Sequence, residues 1–139
     1  VSDWVAEIHD IHHPIGPSLY YHQQEAEARR RAAVFHQQRL PRFLAYFERV
    51  LELNPAGPEY LAGGEHCYAD LSLFQVIRGL QYAFPRTMNT HRARIPRTLT
   101  LVERVAARPG IQAYLQSDRR QPFNESGIFR HYPELDTVA

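Results

Sequence analysis

Apolar residues recur every three or four positions along most of the chain, which is the period of an α-helix. The first segment with this pattern spans residues 3–13, and its apolar positions are Trp4, Val5, Ile8 and Ile11. Pro14 follows directly, and proline lacks the amide donor that a helix interior needs. The pattern therefore predicts a first helix that ends near His13.

A longer amphipathic segment runs from Gln23 to Leu53. Its first half is polar, and its second half carries an apolar stripe made of Leu40, Phe43, Leu44, Phe47, Val50 and Leu51. Pro41 lies within this segment, and a proline inside a helix causes a kink. We expect a long helix that bends near Pro41 and ends at the turn-forming residues 54–58.

The third segment, residues 68–84, is apolar almost all the way round, as expected for a helix buried at the centre of a bundle. Further helical patterns cover residues 95–106 and 111–117, followed by an irregular, aromatic segment from residue 118. No segment shows the two-residue alternation of a β-strand. The predicted fold class is all-α, a bundle of about five helices around a buried central helix.

The composition and net charge of the chain exclude some classes of binding partner. The 139 residues suit one domain, and a net charge of +1 gives no basic surface for a nucleic acid. No run approaches the ~20 apolar residues of a membrane span, so we expect no membrane partner. Cys67 is the single cysteine, which excludes an internal disulfide and favours a reducing, cytoplasmic location. The chain starts without methionine inside a helical pattern, so we expect it to be part of a longer protein.

A histidine cluster suggests a metal site as one hypothesis. His9, His12 and His13 fall within about one helical turn, so two or three imidazoles could face one ion. A further ligand would have to come from His22 or His36, because no His-Glu-x-x-His arrangement is present. Solvent-exposed or packed histidines explain the cluster more simply, and we expect no metal.

The middle of the chain resembles a known family. The segment Tyr68-Ala69-Asp70-Leu71-Ser72-Leu73-Phe74, preceded by Gly63-Gly64, resembles the start of the central helix in the C-terminal domain of glutathione transferases. Residues 108–115, RPGIQAYL, resemble that family's turn into its short last helix. The resemblance implies that residues 1–139 form this helical domain. It also implies that the thioredoxin-like N-terminal domain, which holds glutathione and supplies the catalytic residue, is absent from the chain.

The resemblance implies a function for the intact protein. It would be a homodimeric glutathione S-transferase that conjugates glutathione to small electrophilic compounds, a reaction typical of detoxification, and this chain alone would be inactive. The helical domain would supply the second-substrate pocket and part of the dimer interface. The candidate substrate-binding residues on this basis are Trp4, Ile8, His12, Tyr20, Tyr21, Phe129 and Tyr132.

An acidic residue on the first helix has a further implied role. In several classes of the family such a residue reaches the glutathione of the other subunit, and Glu7 is the nearest match by position. Asp3 and Asp10 compete for this assignment, and an exposed helix carboxylate without such a role is the simpler interpretation.

Asp70 has a structural role that follows from its position. At the third position of the central helix its carboxylate can accept a hydrogen bond from the amide of Cys67, as in a capping box. The family has Ser or Thr at the cap, whereas a thiol bonds weakly. We expect a half-made cap that costs about 1 kcal/mol.

A non-catalytic alternative remains open, because the same helical fold also serves as a protein-docking domain in some complexes. An open aromatic pocket face favours the enzyme, and a face filled by side chains favours the docking domain. The aromatic residues of the first helix and of the tail favour the enzyme.

Overall fold

A computed structural model describes residues 1–137, so Val138 and Ala139 of the predicted domain lie outside the described residues. The helices are α1 (Ser2–His12), α2 (Glu25–Val34), α3 (Leu40–Leu53), α4 (Tyr68–Ala83), α5 (Pro85–His91), α6 (Pro96–Ala106) and α7 (Pro109–Leu115). The predicted all-α bundle around a central helix is confirmed for these residues. None of the helices within 1–137 is long and apolar enough to cross a membrane.

The predicted long helix is present, and its irregularity lies just before Pro41. α2 and α3 are joined by a π-helical turn at Phe35–Arg39, in which the Leu40 amide donates to the Phe35 carbonyl. Such wide turns interrupt helices locally. Because Pro41 has no amide to donate, the hydrogen-bond ladder is interrupted at this point in any case.

The core centres on α4 and collects side chains from both ends of the chain. Leu73, Ile77 and Leu80 of α4 are fully buried. Trp4 of α1 is also fully buried, and its ring stacks on Phe43 and Phe47 of α3 with centroid distances of 5.0 and 5.7 Å. Such ring pairs add stability beyond the apolar area that they bury.

The start of α4 is fixed by Asp70, which is fully buried. Its Oδ2 accepts the amide of Cys67 at 2.7 Å, and its Oδ1 accepts the amide of Leu61 at 2.8 Å. The Cys67 thiol faces the Asp70 amide, so both halves of a capping box are present with sulfur in place of a hydroxyl. The Asp70 half of the predicted cap is formed as a hydrogen bond, and Asp70 also holds the preceding loop through the Leu61 amide. The expected energetic cost of the thiol half stays a prediction.

Helix α5 was missing from the sequence prediction. Its polar sequence, PRTMNTH, has no apolar stripe, and its cap comes from a distant residue. The buried carboxylate of Asp136 accepts the amides of Arg86 and Thr87 at 2.8 and 3.0 Å, and the Thr87 hydroxyl at 2.8 Å. Because the capping residue lies some fifty positions away, the sequence around α5 contains no local signal for the start of a helix.

Residues 118–137, here called the tail, run back across the bundle and are bonded to it. His12 of α1 bonds through Nε2 to the Ile128 carbonyl, and His36 of the π-helical turn bonds through Nε2 to the Leu135 carbonyl, both at 2.8 Å. These bonds attach two separate points of the tail to helices from the first third of the chain.

The tail also packs directly on α4. Phe129 is 8% exposed, and its ring lies so close to Gly79 that a β-carbon there would overlap it. Gly79 therefore provides the space in which the tail reaches the central helix.

Candidate substrate-binding groove

One face of α4 remains open between the N-terminal end of α1 and the tail, and it forms a groove, here called the α4 groove. Its larger hollow has a volume of about 660 Å³. The apolar residues that line this hollow include Val5, Leu71, Val76, Phe123, Ile128 and Phe129. Ser72 and Gln75 add polar groups, so the hollow is mainly apolar with a few hydrogen-bonding positions.

A smaller hollow of about 220 Å³ continues the groove along α4. The two hollows share Leu71, Gln75, Gln121 and Phe123 as lining residues. The walls that belong only to the smaller hollow are Phe74, Arg78, Ile111, Tyr114, Leu115 and Arg120. One continuous groove therefore has an apolar part and a part with two guanidinium groups.

The helical period of α4 explains how the groove is placed. Ser72, Gln75 and Arg78 are three residues apart and lie along one side of the helix, while Leu73, Ile77 and Leu80 face the core. The sequence pattern predicts a helix that is apolar almost all the way round, and these groove residues are not among the predicted site residues. The polar positions spaced by three were the signal that identifies its open side.

The sequence model of the family described as "Glutathione S-transferase, C-terminal domain" matches residues 9–118 of the chain. The chain belongs to this family. The recognition made from residues 68–74 and 108–115 is confirmed.

Curated proteins named glutathione S-transferase P are similar to this chain. Glutathione S-transferase P 1 of Bufo bufo is 30% identical over 90 residues, which cover 63% of this chain and 41% of that protein. Glutathione S-transferase P 1 of Xenopus laevis is 32% identical over 81 residues, covering 58% and 36% respectively. The chain spans about two fifths of the length of these curated relatives.

In this transferase domain, Phe129 is the member of the predicted substrate-binding set that lines the α4 groove. Trp4 and Ile8 lie in the core with 0% and 1% exposure, and they present no open surface within residues 1–137. Their predicted contact with a substrate stays a prediction.

His12 lies under the tail, 3% exposed. Burial lowers the pKa of His12 from 6.5 to about 4, and the positive charge of Arg130 acts in the same direction. The imidazole is therefore neutral near pH 7, with Nε2 bonded to the Ile128 carbonyl. Its observed contact holds the tail in place beside the groove, and direct contact with a substrate stays a prediction.

The predicted tyrosine pair is divided between two environments. Tyr21 stacks on Tyr132 with ring centroids 3.8 Å apart, and its hydroxyl donates to Glu134 Oε1 at 2.7 Å. Burial and this hydrogen bond raise the pKa of Tyr21. Tyr20 is 73% exposed and stacks on His22. Tyr21 and Tyr132 thus clamp the end of the tail, away from the lining of the α4 groove.

Glu7 is bonded within the chain. Arg39 donates from Nη2 to Glu7 Oε1 at 2.6 Å and from Nε to Oε2 at 2.9 Å, which makes a bidentate ion pair between α1 and the π-helical turn. A role of Glu7 towards the glutathione of a second subunit stays a prediction, and this ion pair would compete with it.

The histidine cluster has the geometry of packed rings. His9 and His13 stack with centroids 5.4 Å apart, whereas His22 and His36 have other neighbours. The part of the chain that the structure describes contains no group of three or more His, Cys, Asp or Glu side chains arranged to hold a metal ion.

Proposed function

We propose that this chain is the helical half of a glutathione S-transferase in which the α4 groove holds the electrophilic second substrate. The larger hollow carries the proposal, because its 660 Å³ volume and mainly apolar lining suit a small organic molecule. Family membership and the relatives named glutathione S-transferase support the choice of reaction class.

The proposed chemistry divides between two domains. The sulfur of glutathione, as thiolate, attacks an electrophilic carbon; with a chlorodinitrobenzene a sulfur–carbon bond forms and chloride leaves with the electron pair of the broken bond. The thiol proton passes to solvent. A thioredoxin-like domain of the same protein would bind glutathione and lower its thiol pKa. The α4 groove would position the electrophile and exclude water around it.

We propose Phe123 and Phe129 as the aromatic walls of the electrophile site, since both line the larger hollow. Their rings meet edge to face, with centroids 5.8 Å apart. A homodimer and a cytoplasmic location complete the proposal, and both are supported by the family.

An open groove favours the enzyme over a docking domain. A protein-docking role would be expected to fill this face with side chains, yet the larger hollow remains open along α4. If the experiment below gives neither conjugation nor glutathione binding, the protein-docking domain becomes the alternative function.

The first experiment compares two proteins in glutathione conjugation of chlorodinitrobenzene. The full-length product of the gene should form the conjugate, and the 139-residue chain should not, because the chain lacks the proposed glutathione site. A full-length product that neither conjugates this substrate nor binds glutathione would contradict the proposal.

A second experiment tests the α4 groove itself. Gln75 is exposed on α4 and lines both hollows, so Gln75→Trp should fill the groove and lower kcat/KM for the electrophile by about tenfold or more. Gln112→Trp is the matched control, since Gln112 is an exposed glutamine on α7 that lines neither hollow. Equal kcat/KM values in the two variants would show that the electrophile does not bind in this groove.

A further inference from the structure

Two consecutive hydrogen bonds join the tail to the histidines at the end of α1. The Ile128 carbonyl lies 2.8 Å from His12 Nε2, and His12 Nδ1 is bonded to Nδ1 of His13. A carbonyl oxygen can only accept, so His12 donates from Nε2. Because burial keeps His12 neutral near pH 7, its Nδ1 has no proton and accepts one from His13. These two bonds fix the tautomer of both rings.

The fixed tautomer leaves His13 with one free nitrogen. Its proton lies on Nδ1, so the neutral ring has a lone pair on Nε2. The ring is half-buried, and Nε2 is not among the buried unpaired side-chain atoms of residues 1–137, which are Trp4 Nε1 and His36 Nδ1. An oriented imidazole with an accessible lone pair has the features of a general base.

His13 lies beside the larger hollow of the α4 groove. His9 is one helical turn beyond Val5, which lines that hollow, and the His9 ring stacks on His13 with centroids 5.4 Å apart. On the tail, Ile128 lines the same hollow, while its carbonyl holds His12. α1 and the tail therefore bring the free imidazole nitrogen to the edge of the proposed electrophile site.

A fixed cation lies near this imidazole. Arg130 donates from Nε to the Gly127 carbonyl at 2.7 Å, which holds its guanidinium against the tail. Burial lowers the pKa of His13 from 6.5, and the charges of Arg130 and His9 act in the same direction. The ring is therefore neutral near pH 7, and an imidazolium formed there gives up its proton readily. The guanidinium also stabilises an anion that forms beside it.

We propose that His13 is the proton-transfer residue for electrophiles to which glutathione adds across a double bond, with His12 as its positioning residue. This inference rests on the proposed function, because it concerns an electrophile in the same groove. When chloride is displaced, the thiol proton is not needed again. An addition must return a proton to carbon, and a base that takes up a proton and gives it back suits that reaction.

The proposed step conserves atoms and charge. Nε2 of His13 takes the thiol proton, and the electron pair of the broken sulfur–hydrogen bond stays on sulfur. Sulfur forms a bond to the β-carbon of an α,β-unsaturated ketone, and the double-bond electrons shift towards the carbonyl to give an enolate. The imidazolium then gives the proton to the α-carbon, which restores the ketone and neutral His13. No group leaves.

The test uses the full-length gene product with two uncharged aromatic electrophiles, benzylideneacetone for addition and chlorodinitrobenzene for substitution. For each compound kcat/KM is measured at pH 7, and the ratio of the addition value to the substitution value is compared between variants. His13→Gln should lower this ratio by about tenfold or more, as expected for loss of general acid–base catalysis. His66→Gln is the control, because His66 is an exposed histidine of the loop before α4 that lines neither hollow.

Two substitutions test the positioning role of His12. His12→Leu removes the acceptor for His13 Nδ1 and should lower the same ratio. His12→Gln can donate to the Ile128 carbonyl and accept from His13, so it should retain most of the ratio. A loss of packing alone would change both electrophiles together and leave the ratio as in the wild type.

Failure of the proposed function gives a different result from failure of this inference. If neither compound is conjugated and glutathione does not bind, the transferase proposal fails and the role of His13 fails with it. If both are conjugated and His13→Gln has the same ratio as His66→Gln, this inference alone is overturned. Nitrogen-15 NMR of the histidine rings in the full-length protein checks the geometry, since a His13 protonated on Nε2 at pH 8 would also overturn it.

Discussion

Single histidine residues fix the tail to the bundle, each through a main-chain carbonyl. His12, His36 and His131 make these bonds at 2.8, 2.8 and 3.0 Å. The sequence suggested a metal site or a substrate pocket for His12, because imidazole serves all of these roles. Its actual partner, the Ile128 carbonyl, lies 116 positions away in the sequence. The residue type indicates a polar contact, but the partner in that contact depends on the fold.

Burial of His12 predicts an acid-sensitive fold. Between pH 6.5 and about 4 the unfolded chain binds a proton at His12 that the folded chain does not, so the free energy of unfolding falls as the pH falls through this range. The His12 contribution is fully present above pH 6.5 and is lost below about pH 4, with a total of about 3 kcal/mol. Urea unfolding at a series of pH values measures this loss.

His12→Gln removes the titration while keeping a side-chain amide donor for the Ile128 carbonyl. Its free energy of unfolding should fall less steeply with decreasing pH than that of the wild type. Part of the slope should remain, because burial lowers the pKa of His36 as well. His22→Gln, which changes an exposed histidine, is the control. A variant at position 12 with the wild-type slope would show that this histidine does not titrate as described.

At the scale of helices, the sequence predicts a helix well where that helix has a strong apolar periodicity of its own. α1, α4 and α6 were expected close to their observed bounds, whereas α3 was expected as the second half of one long helix from Gln23 to Leu53. α5 was missed, since its N-terminus is capped by Asp136 from the tail. The tail itself was recognised as aromatic, but its path across α4 depends on contacts between residues far apart in sequence.

The contact between the tail and α4 predicts a specific effect of Gly79→Ala. The added β-carbon overlaps the Phe129 ring, so the free energy of unfolding should fall by about 1–3 kcal/mol, as for other overpacked cores. The tail should also loosen, and trypsin should cleave faster after Arg119 and Arg120. Denaturant unfolding and a proteolysis time course measure the two effects.

Gly110→Ala is the control for this substitution, because a β-carbon at Gly110 of α7 meets no atom within 4 Å. It should leave the stability unchanged or raise it slightly, since alanine favours helix over glycine. Adding Phe129→Leu to Gly79→Ala should restore part of the loss by making room. Equal stability of the two glycine variants would contradict the observed packing.

Residues 1–137 form a hydrophobic core to which both the first helix and the tail contribute. Trp4 near the N-terminus, Leu101 of α6 and Leu135 of the tail are all buried in the same cluster. Separate unfolding of either end would therefore expose apolar surface of the centre. A single cooperative transition follows from this arrangement.

Trp4 allows a direct test of that cooperativity, since it is the only tryptophan of the chain and fully buried. In urea, its fluorescence and the far-ultraviolet circular dichroism of the helices should give coincident transitions for the 139-residue chain. Repeating the measurement at several chain concentrations separates folding from association. Two distinct midpoints would show that α1 or the tail unfolds on its own.

The fold class and the buried central helix with its Asp70 cap could be predicted from the amino-acid sequence, because helical periodicity and capping are local properties of consecutive residues. The family followed from the resemblance of residues 68–74 and 108–115 to its motifs. Tertiary packing was needed to establish which side of α4 remains open and that Phe129 reaches it. Packing also places Trp4 and Ile8 in the core and pairs Glu7 with Arg39. These outcomes depend on the packing of segments that are distant in sequence. The hydrophobic pattern of one helix indicates that the helix is buried, but it does not indicate which other segments cover it.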